Sequence, residues 1–85
     1  MAKDYYVEVY NGIVGYCYST SLWCDKKGAK ATAKNIVRDL QRAYPDLTLY
    51  EDDQADDKPY AISVVVYETR KLDCDIDIKF YALVK

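Results

Sequence analysis

The stretch YYVEVYNGIVGYCYS, residues 5–19, decides how the chain begins to fold. Its strand-forming residues lie on either side of Asn11 and Gly12, the pair most typical of a two-residue type I′ turn. Such a turn needs a positive φ at both central residues, which asparagine and glycine tolerate. The pattern therefore predicts an antiparallel hairpin of residues 4–10 and 13–19.

The predicted turn also divides the tyrosines of this hairpin between two faces. It places Tyr10 opposite Ile13 and Tyr5 opposite Tyr18, and successive side chains along a strand point to opposite faces. The expected core face carries Tyr5, Val7, Val9, Val14, Tyr16 and Tyr18. The other face carries Tyr6, Glu8, Tyr10, Ile13, Gly15 and Cys17. Tyr6 and Tyr10 are therefore tyrosines that the core does not require.

A single amphipathic helix is predicted after the hairpin, from about residue 26 to residue 44. Asp25 suits the N-cap position, and Pro45 ends the helix because proline cannot continue it. The apolar residues at helical spacing are Ala29, Ala33, Ile36, Val37, Leu40, Ala43 and Tyr44. The basic residues on nearly the opposite side are Lys27, Lys30, Lys34, Arg38 and Arg42.

Three further strands are predicted, at residues 47–50, 60–69 and 74–84, with an acidic loop at residues 51–59. The first points its leucines inward, and the second points Tyr60, Ile62, Val64 and Val66 inward. In the last, Ile76, Ile78, Phe80, Ala82 and Val84 are expected inward, with Asp75, Asp77, Lys79, Tyr81 and Leu83 outward. The order β-β-α-β-β-β predicts one α+β domain over residues 1–85, with the helix packed on one face of a mainly antiparallel five-stranded sheet.

One helix cannot cover both faces of five strands, so the sheet is expected to keep an open face. We expect this face to carry Tyr6, Tyr10, Tyr50, Val65, Tyr67, Tyr81 and Leu83. Tyrosine is enriched at binding hot spots, because its ring favours burial while its hydroxyl accepts water. The partner-binding tyrosines are therefore predicted to be Tyr6, Tyr10, Tyr67 and Tyr81. The alternative interpretation is that tyrosine is simply a good strand former.

The net charge of −2 conceals a strong asymmetry along the chain. Residues 26–42 contain six cations and one anion, whereas residues 46–57 contain six anions and no cation. The acidic segment can dock on a basic partner through Asp52, Asp53, Asp56 and Asp57. The basic helix residues named above form an alternative contact, with nucleic-acid phosphates or with an acidic surface. Both segments can equally be ordinary solvated surface.

The composition argues against catalysis and metal binding. The chain has no histidine, no glycine-rich phosphate loop and only three cysteines, Cys17, Cys24 and Cys74. Zinc sites built from four cysteines, or from two cysteines and two histidines, are thereby excluded. Three thiolates with a carboxylate would still suffice, but no spacing favours them. We expect no enzymatic activity, no cofactor and no bound metal.

The location follows from the same residues. An odd number of cysteines without a C-x-x-C pair favours reduced thiols in the cytoplasm. No secretory leader and no apolar run long enough to span a membrane are recognisable in the sequence.

These observations favour a non-enzymatic protein-binding module that acts by occluding a partner's surface. In general character, though in no shared motif, the chain resembles small phage-encoded inhibitors such as anti-CRISPR proteins. That resemblance implies stoichiometric blocking of a host defence or nucleic-acid-processing complex. One alternative is a nucleic-acid-binding protein that uses the basic helix face. Another is a homo-oligomeric structural protein joined through the open face.

Overall fold

The computed structural model of the chain describes residues 5–22, 25–55, 57–68 and 77–85. They form an α+β domain with one helix and five strands, in the predicted order. The strands are β1 (Tyr5–Asn11), β2 (Tyr16–Leu22), β3 (Thr48–Glu51), β4 (Tyr60–Glu68) and β5 (Asp77–Val84). The helix α1 spans Lys26–Ala43, and a single 3₁₀ turn spans Asp52–Ala55.

The five strands form one sheet in the order β2-β1-β4-β5-β3, and every neighbouring pair is antiparallel. The fold class expected from the sequence is confirmed. β4 lies at the centre, and α1 packs on β4, β1 and β5. The helix therefore covers the middle of one face and leaves the edge strands β2 and β3 at the margins.

The main core lies between α1 and the three strands beneath it. Small side chains on the helix let it approach the sheet closely, and branched side chains on the strands fill the space between them. The buried residues of this core are Val7, Val9, Ala29, Ala33, Val37, Val64, Val66 and Tyr81. A smaller buried cluster of Leu47, Ile62 and Leu83 lies below the end of the helix.

The ends of α1 confirm the predicted helix signals. Asp25 is the N-cap, and its Oδ1 accepts a hydrogen bond of 2.8 Å from the Gly28 N–H. At the other end the Tyr44 N–H donates to the Leu40 carbonyl, immediately before Pro45. Ala43, expected on the apolar side, is exposed.

The hairpin turn is longer than predicted, so the prediction of a two-residue Asn-Gly turn is wrong. Asn11 pairs with Tyr16, so that residues 12–15 form a four-residue loop. The Gly12 N–H donates to the Ala61 carbonyl of β4 at 2.8 Å, so the chain runs alongside β4 for one residue more before it turns. The Asn11 side chain then accepts the Ile13 N–H at 3.0 Å, and Gly15 supplies the positive φ of 67°.

The longer loop shifts the register of β1 and β2 by four residues. Because four is an even number, the division of side chains between the two faces survives the shift. Val9 now lies opposite Tyr18, for example, and both remain on the helix side. Tyr16 and Val14 were expected in the core, but they are 54% and 61% exposed, since Tyr16 begins the edge strand β2 and Val14 lies in the hairpin loop.

The orientation predicted for β5 is also wrong, from Lys79 onward. A register shift interrupts the pairing with β4, where Val66 is opposite Lys79 but Tyr67 is opposite Asp77. The extra residue in β5 moves every later side chain to the other face. Tyr81 and Leu83 therefore enter the helix-side core, and the side chains on the open face are Phe80, Ala82 and Val84.

A second register shift makes the orientation predicted for Tyr60 wrong as well. Tyr60 pairs with Val84 and Ile62 pairs with Leu83, so β4 contains one extra residue between Tyr60 and Ile62. Tyr60, expected inward with Ile62, therefore lies on the open face and is 43% exposed.

Gly12→Ala is expected to destabilise the domain, because an added Cβ would lie 2.9 Å from the backbone oxygen of Ala61. Overpacking of this kind costs about 1–3 kcal/mol, measurable as a loss in the free energy of unfolding by urea. Gly15→Asn is the matched control, since its Cβ would meet nothing within 4 Å and asparagine tolerates a positive φ. Equal stability of Gly12→Ala and the wild type would show that β1 does not depend on this close approach.

Candidate functional site

The most distinctive surface is the open face, the sheet face that α1 does not cover. It carries aromatic rings from three neighbouring strands, and two of them are extensively exposed. Tyr10 on β1 and Tyr60 on β4 are each 43% exposed. Their ring centroids are 6.4 Å apart in an edge-to-face arrangement, and Tyr60 makes a second such contact of 5.8 Å with Phe80. We call Tyr10, Tyr60 and Phe80 the aromatic row.

A second ring pair lies on the same face toward the other end of the strands. Tyr6 and Tyr67 pair across β1 and β4, and their rings stack with centroids 5.1 Å apart. Both are half-buried. Offset stacking and edge-to-face contacts are the arrangements that aromatic rings prefer, so each pair stabilises the sheet as well as shaping its surface.

Small and branched side chains on the same face are buried. Val65 and Ala82 point to the open face by register, yet Val65 is 6% exposed and Ala82 is fully buried. The open face therefore has a thin apolar layer of its own.

A carboxylate lies within this aromatic surface. Glu8 is half-buried on β1 between Tyr6 and Tyr10, and it pairs with Val65 on one side and Ser19 on the other. Its neighbours along the strand, Val7 and Val9, are both in the core, which places Glu8 on the open face. A carboxylate beside aromatic rings suits a cation, because the ring faces and the carboxylate attract positive charge together.

The acidic segment after β3 is folded rather than a simple loop. Asp52, at a positive φ of 49°, opens the 3₁₀ turn and extends the contact of β3 with β5. Its carboxylate accepts the Lys79 ammonium at 2.8 Å and the Phe80 N–H at 3.1 Å. Glu51 forms a second 2.8 Å ion pair with Lys79.

These contacts shift two pKa values. Partial burial alone would raise the pKa of Asp52, but the hydrogen bonds from Lys79 and from the Phe80 N–H outweigh it. Together with the charges of Lys79 and Lys30 they hold the pKa of Asp52 below its ordinary value. Hydrogen bonds to Asp52 and Glu51 raise the pKa of Lys79. Of the acidic residues predicted to bind a partner, Asp52 is therefore engaged within the fold.

The other predicted acidic residues include two that the structure describes. Asp53 and Asp57 are exposed, whereas Asp56 lies outside the described residues. The 3₁₀ turn packs against β5 and β3 through the buried Ala55. The Lys58 ammonium then lies 4.7 Å from the centre of the Tyr50 ring, and Tyr50 belongs to the open face by its pairing with Ala82.

The basic side of α1 faces solvent, as expected. Four of its predicted cations are exposed and Lys30 is half-buried. Lys34 and Arg38 border a groove of about 290 Å³ between α1 and β3, with Leu49 and Tyr81 also lining it. Tyr81, expected on the open face, is 4% exposed here, and burial raises the pKa of its hydroxyl.

Two absences hold for the part of the chain that the structure describes. No group of three or more cysteine, aspartate or glutamate side chains is arranged to hold a metal ion there. Across the same residues, no helix combines the length and apolar character needed to cross a bilayer.

Comparisons with known proteins give no relatives. No family model matches the chain, and no curated protein or solved structure is significantly similar to it.

Sequence reasoning placed Tyr6, Tyr10 and Tyr67 on the open face, and the register confirms those positions. It missed Tyr60 and Phe80, because a bulge in each strand reverses the alternation that was used to assign faces. Alternation did place Glu8 correctly, but its half-buried position among tyrosines could be recognised only once β4 was known to be the neighbour of β1.

Asp52→Asn is expected to lower the free energy of unfolding at pH 6, because the ion pair with Lys79 is lost. A carboxylate whose folded pKa is depressed stabilises above its unfolded pKa of about 4, and that stabilisation disappears as the pH falls through the folded pKa. The difference from wild type should therefore vanish at low pH. Its size should be small, about 0.2–1 kcal/mol for an exposed pair.

The control for this experiment is Asp53→Asn, which removes the same charge one residue away. Urea unfolding of both variants between pH 2 and pH 6 provides the comparison. A deficit in Asp52→Asn that is as large at low pH as at pH 6 would contradict an electrostatic role for Asp52.

Proposed function

We propose that this protein is a non-enzymatic protein-binding module that uses the open face to occupy a basic surface of its partner. The observation that carries this proposal is the aromatic row, which leaves Tyr10 and Tyr60 extensively exposed on a preformed, ordered sheet. Exposed rings that are already held in place lose little conformational entropy on binding.

The chemistry of the open face selects the kind of partner. Rings and carboxylates are mixed there, with Glu8 inside the aromatic surface and the exposed Asp53 and Asp57 in the neighbouring acidic segment. Arginine and lysine side chains fit such a surface, because they stack on aromatic rings and pair with carboxylates at the same time. The exposed cations of α1 lie on the helix side of the sheet, whereas Tyr10, Tyr60 and Glu8 lie on the open face.

Occlusion of a basic nucleic-acid channel in a host complex is the form of this activity that the charge favours. An inhibitor of the phage-encoded kind would compete there with the phosphates that the channel normally binds. A reducing, cytoplasmic location belongs to the same proposal, since Cys17 is a free exposed thiol.

The double variant Tyr10→Ser/Tyr60→Ser is expected to abolish partner capture and to leave the helix-side core intact. Wild type and variant would be used as bait in lysate of the cells that naturally contain the protein, and each retained protein would be purified and titrated by calorimetry. We expect at least a tenfold loss of affinity, since aromatic hot spots contribute about 2 kcal/mol or more each. Glu8→Gln should weaken binding less and reduce its salt dependence.

Tyr16→Ser is the matched control, because Tyr16 is an exposed tyrosine on the helix side of the sheet. Capture that survives Tyr10→Ser/Tyr60→Ser, or that fails equally in Tyr16→Ser, would refute binding through the open face. Circular dichroism and urea unfolding of each variant check that the domain remains folded.

A second candidate function is nucleic-acid binding through α1, favoured by the exposure of Lys27, Lys34, Arg38 and Arg42 along the helix. Binding of this kind depends on phosphate contacts, so its affinity should fall with salt with a log–log slope of about −0.9 per phosphate neutralised on duplex DNA.

Fluorescence anisotropy with labelled duplex and single strands tests this candidate. The charge-reversed variant Lys34→Glu/Arg38→Glu should lose binding, whereas Tyr10→Ser/Tyr60→Ser should keep it. Absence of binding by the wild type to either form at about 50 mM salt would eliminate the candidate.

A further inference from the structure

The two edges of the sheet are protected to very different degrees. An edge strand presents a row of backbone N–H and C=O groups that can pair with another chain, and proteins shield such edges with short strands, charges, proline or bulges. β3 follows that rule, since it has only four residues and ends in Glu51. The charged Asp52 and the 3₁₀ turn follow it directly.

β2 has none of these protections. It is seven residues long, with the sequence YCYSTSL, and it contains no charged residue and no proline. Its register with β1 runs through seven consecutive pairs without a shift, so no bulge turns the edge away. Within the described ranges, β1 is the one strand with which β2 pairs.

The surfaces beside this edge are also suited to a neighbouring strand. On the helix side, Tyr16 is exposed and Tyr18 is half-buried, with their rings 5.2 Å apart. On the open-face side, Cys17 and Ser19 are exposed and uncharged. A strand beside β2 would therefore gain backbone hydrogen bonds, an aromatic contact on one side and small side chains on the other.

We propose that β2 pairs antiparallel with β2 of a second copy of this chain, joining two sheets into one of ten strands about a two-fold axis. A two-fold axis brings the same patch of both copies together, so the patch must tolerate itself. β2 does so, because an uncharged strand meets no like charge in its copy although the whole chain is acidic.

The alternative occupant, a charged strand of another protein, fits less well. It would bring its charges against an edge whose side chains offer no counter-charge, and unpaired charges at an interface are costly. When all seven residues of two copies pair, Ser19 faces its copy and the two Tyr18 side chains lie diagonally across from each other, a spacing that aromatic rings can span. The contact uses an edge rather than the open face, so it does not depend on the proposed function.

Sedimentation equilibrium tests the proposal at protein concentrations from about 10 μM to about 1 mM. This range suits the modest affinity expected of a single strand pair about 23 Å long. The mass should rise with concentration from 9.8 kDa toward twice that value. Hydrogen exchange followed over the same range should show increasing protection of the β2 amides and constant protection of the β3 amides.

The variant Cys17→Lys/Ser19→Lys should remain monomeric, because it places two cations on the paired edge of each copy. It should still fold, since a lysine at position 19 lies directly across from Glu8 on β1 and can pair with it. The matched control is Thr48→Lys/Gln54→Lys, which adds the same charge at exposed positions on β3 and the 3₁₀ turn. The control should dimerise like the wild type.

Several outcomes would overturn the proposal. The first is a wild-type chain that stays monomeric at every concentration. The second is a dimer that Cys17→Lys/Ser19→Lys retains or that the control variant loses. The third is a dimer that Tyr10→Ser/Tyr60→Ser abolishes, which would place the contact on the open face. Should the lysine variant fail to fold, constant exchange of the wild-type β2 amides across the concentration range would refute the pairing by itself.

Discussion

The structure depends on one constraint, which is that a single helix has to bury one face of a sheet five strands wide. Ala29, Ala33 and Val37 meet this constraint by forming a narrow, nearly flat stripe that lies close to β1, β4 and β5. Close approach gives a dense core, but it confines that core to the middle of the sheet. The edge strands and the whole of the open face are left to be stabilised by other means.

The open face and the acidic segment show two of those means. On the open face Val65 lies opposite Phe80, and Ala82 follows Phe80 on the same side; both Val65 and Ala82 are buried, so the second face has its own apolar layer without a second helix. Beyond β3, the Asp52 carboxylate takes the place of a backbone acceptor for the Phe80 N–H and binds the Lys79 ammonium. The aromatic residues and the acidic residue Asp52, which the sequence suggests as binding residues, therefore also stabilise the fold.

Elements that depend only on residues close in sequence could be predicted from the sequence. The cap at Asp25, the stop at Pro45 and the apolar spacing of α1 located the helix to within one residue at its end, because each depends on neighbours within a few positions. The prediction failed where pairing with a strand distant in sequence determines the local conformation. The Asn-Gly pair favoured a tight turn, but the Ala61 carbonyl on β4 binds the Gly12 N–H and draws the chain onward. Likewise, nothing near Tyr81 in the sequence signals that pairing with β4 reverses its orientation. The candidate site was therefore only partly predictable, with Tyr6, Tyr10 and Tyr67 placed correctly and Tyr60 and Phe80 missed.

The two bulges give the fold a simple route to change in evolution. At each bulge one extra residue reverses the alternation of side chains between the two faces of the sheet. The bulges at Ala61 and Ile78 therefore decide which aromatic residues lie on the open face. Insertion or deletion of one residue at such a point exchanges exposed and buried side chains over a short segment and leaves the rest of the sheet in register. A lineage of this chain can thus change which side chains the open face exposes through one small length change, without replacing the residues that hold α1 to the sheet.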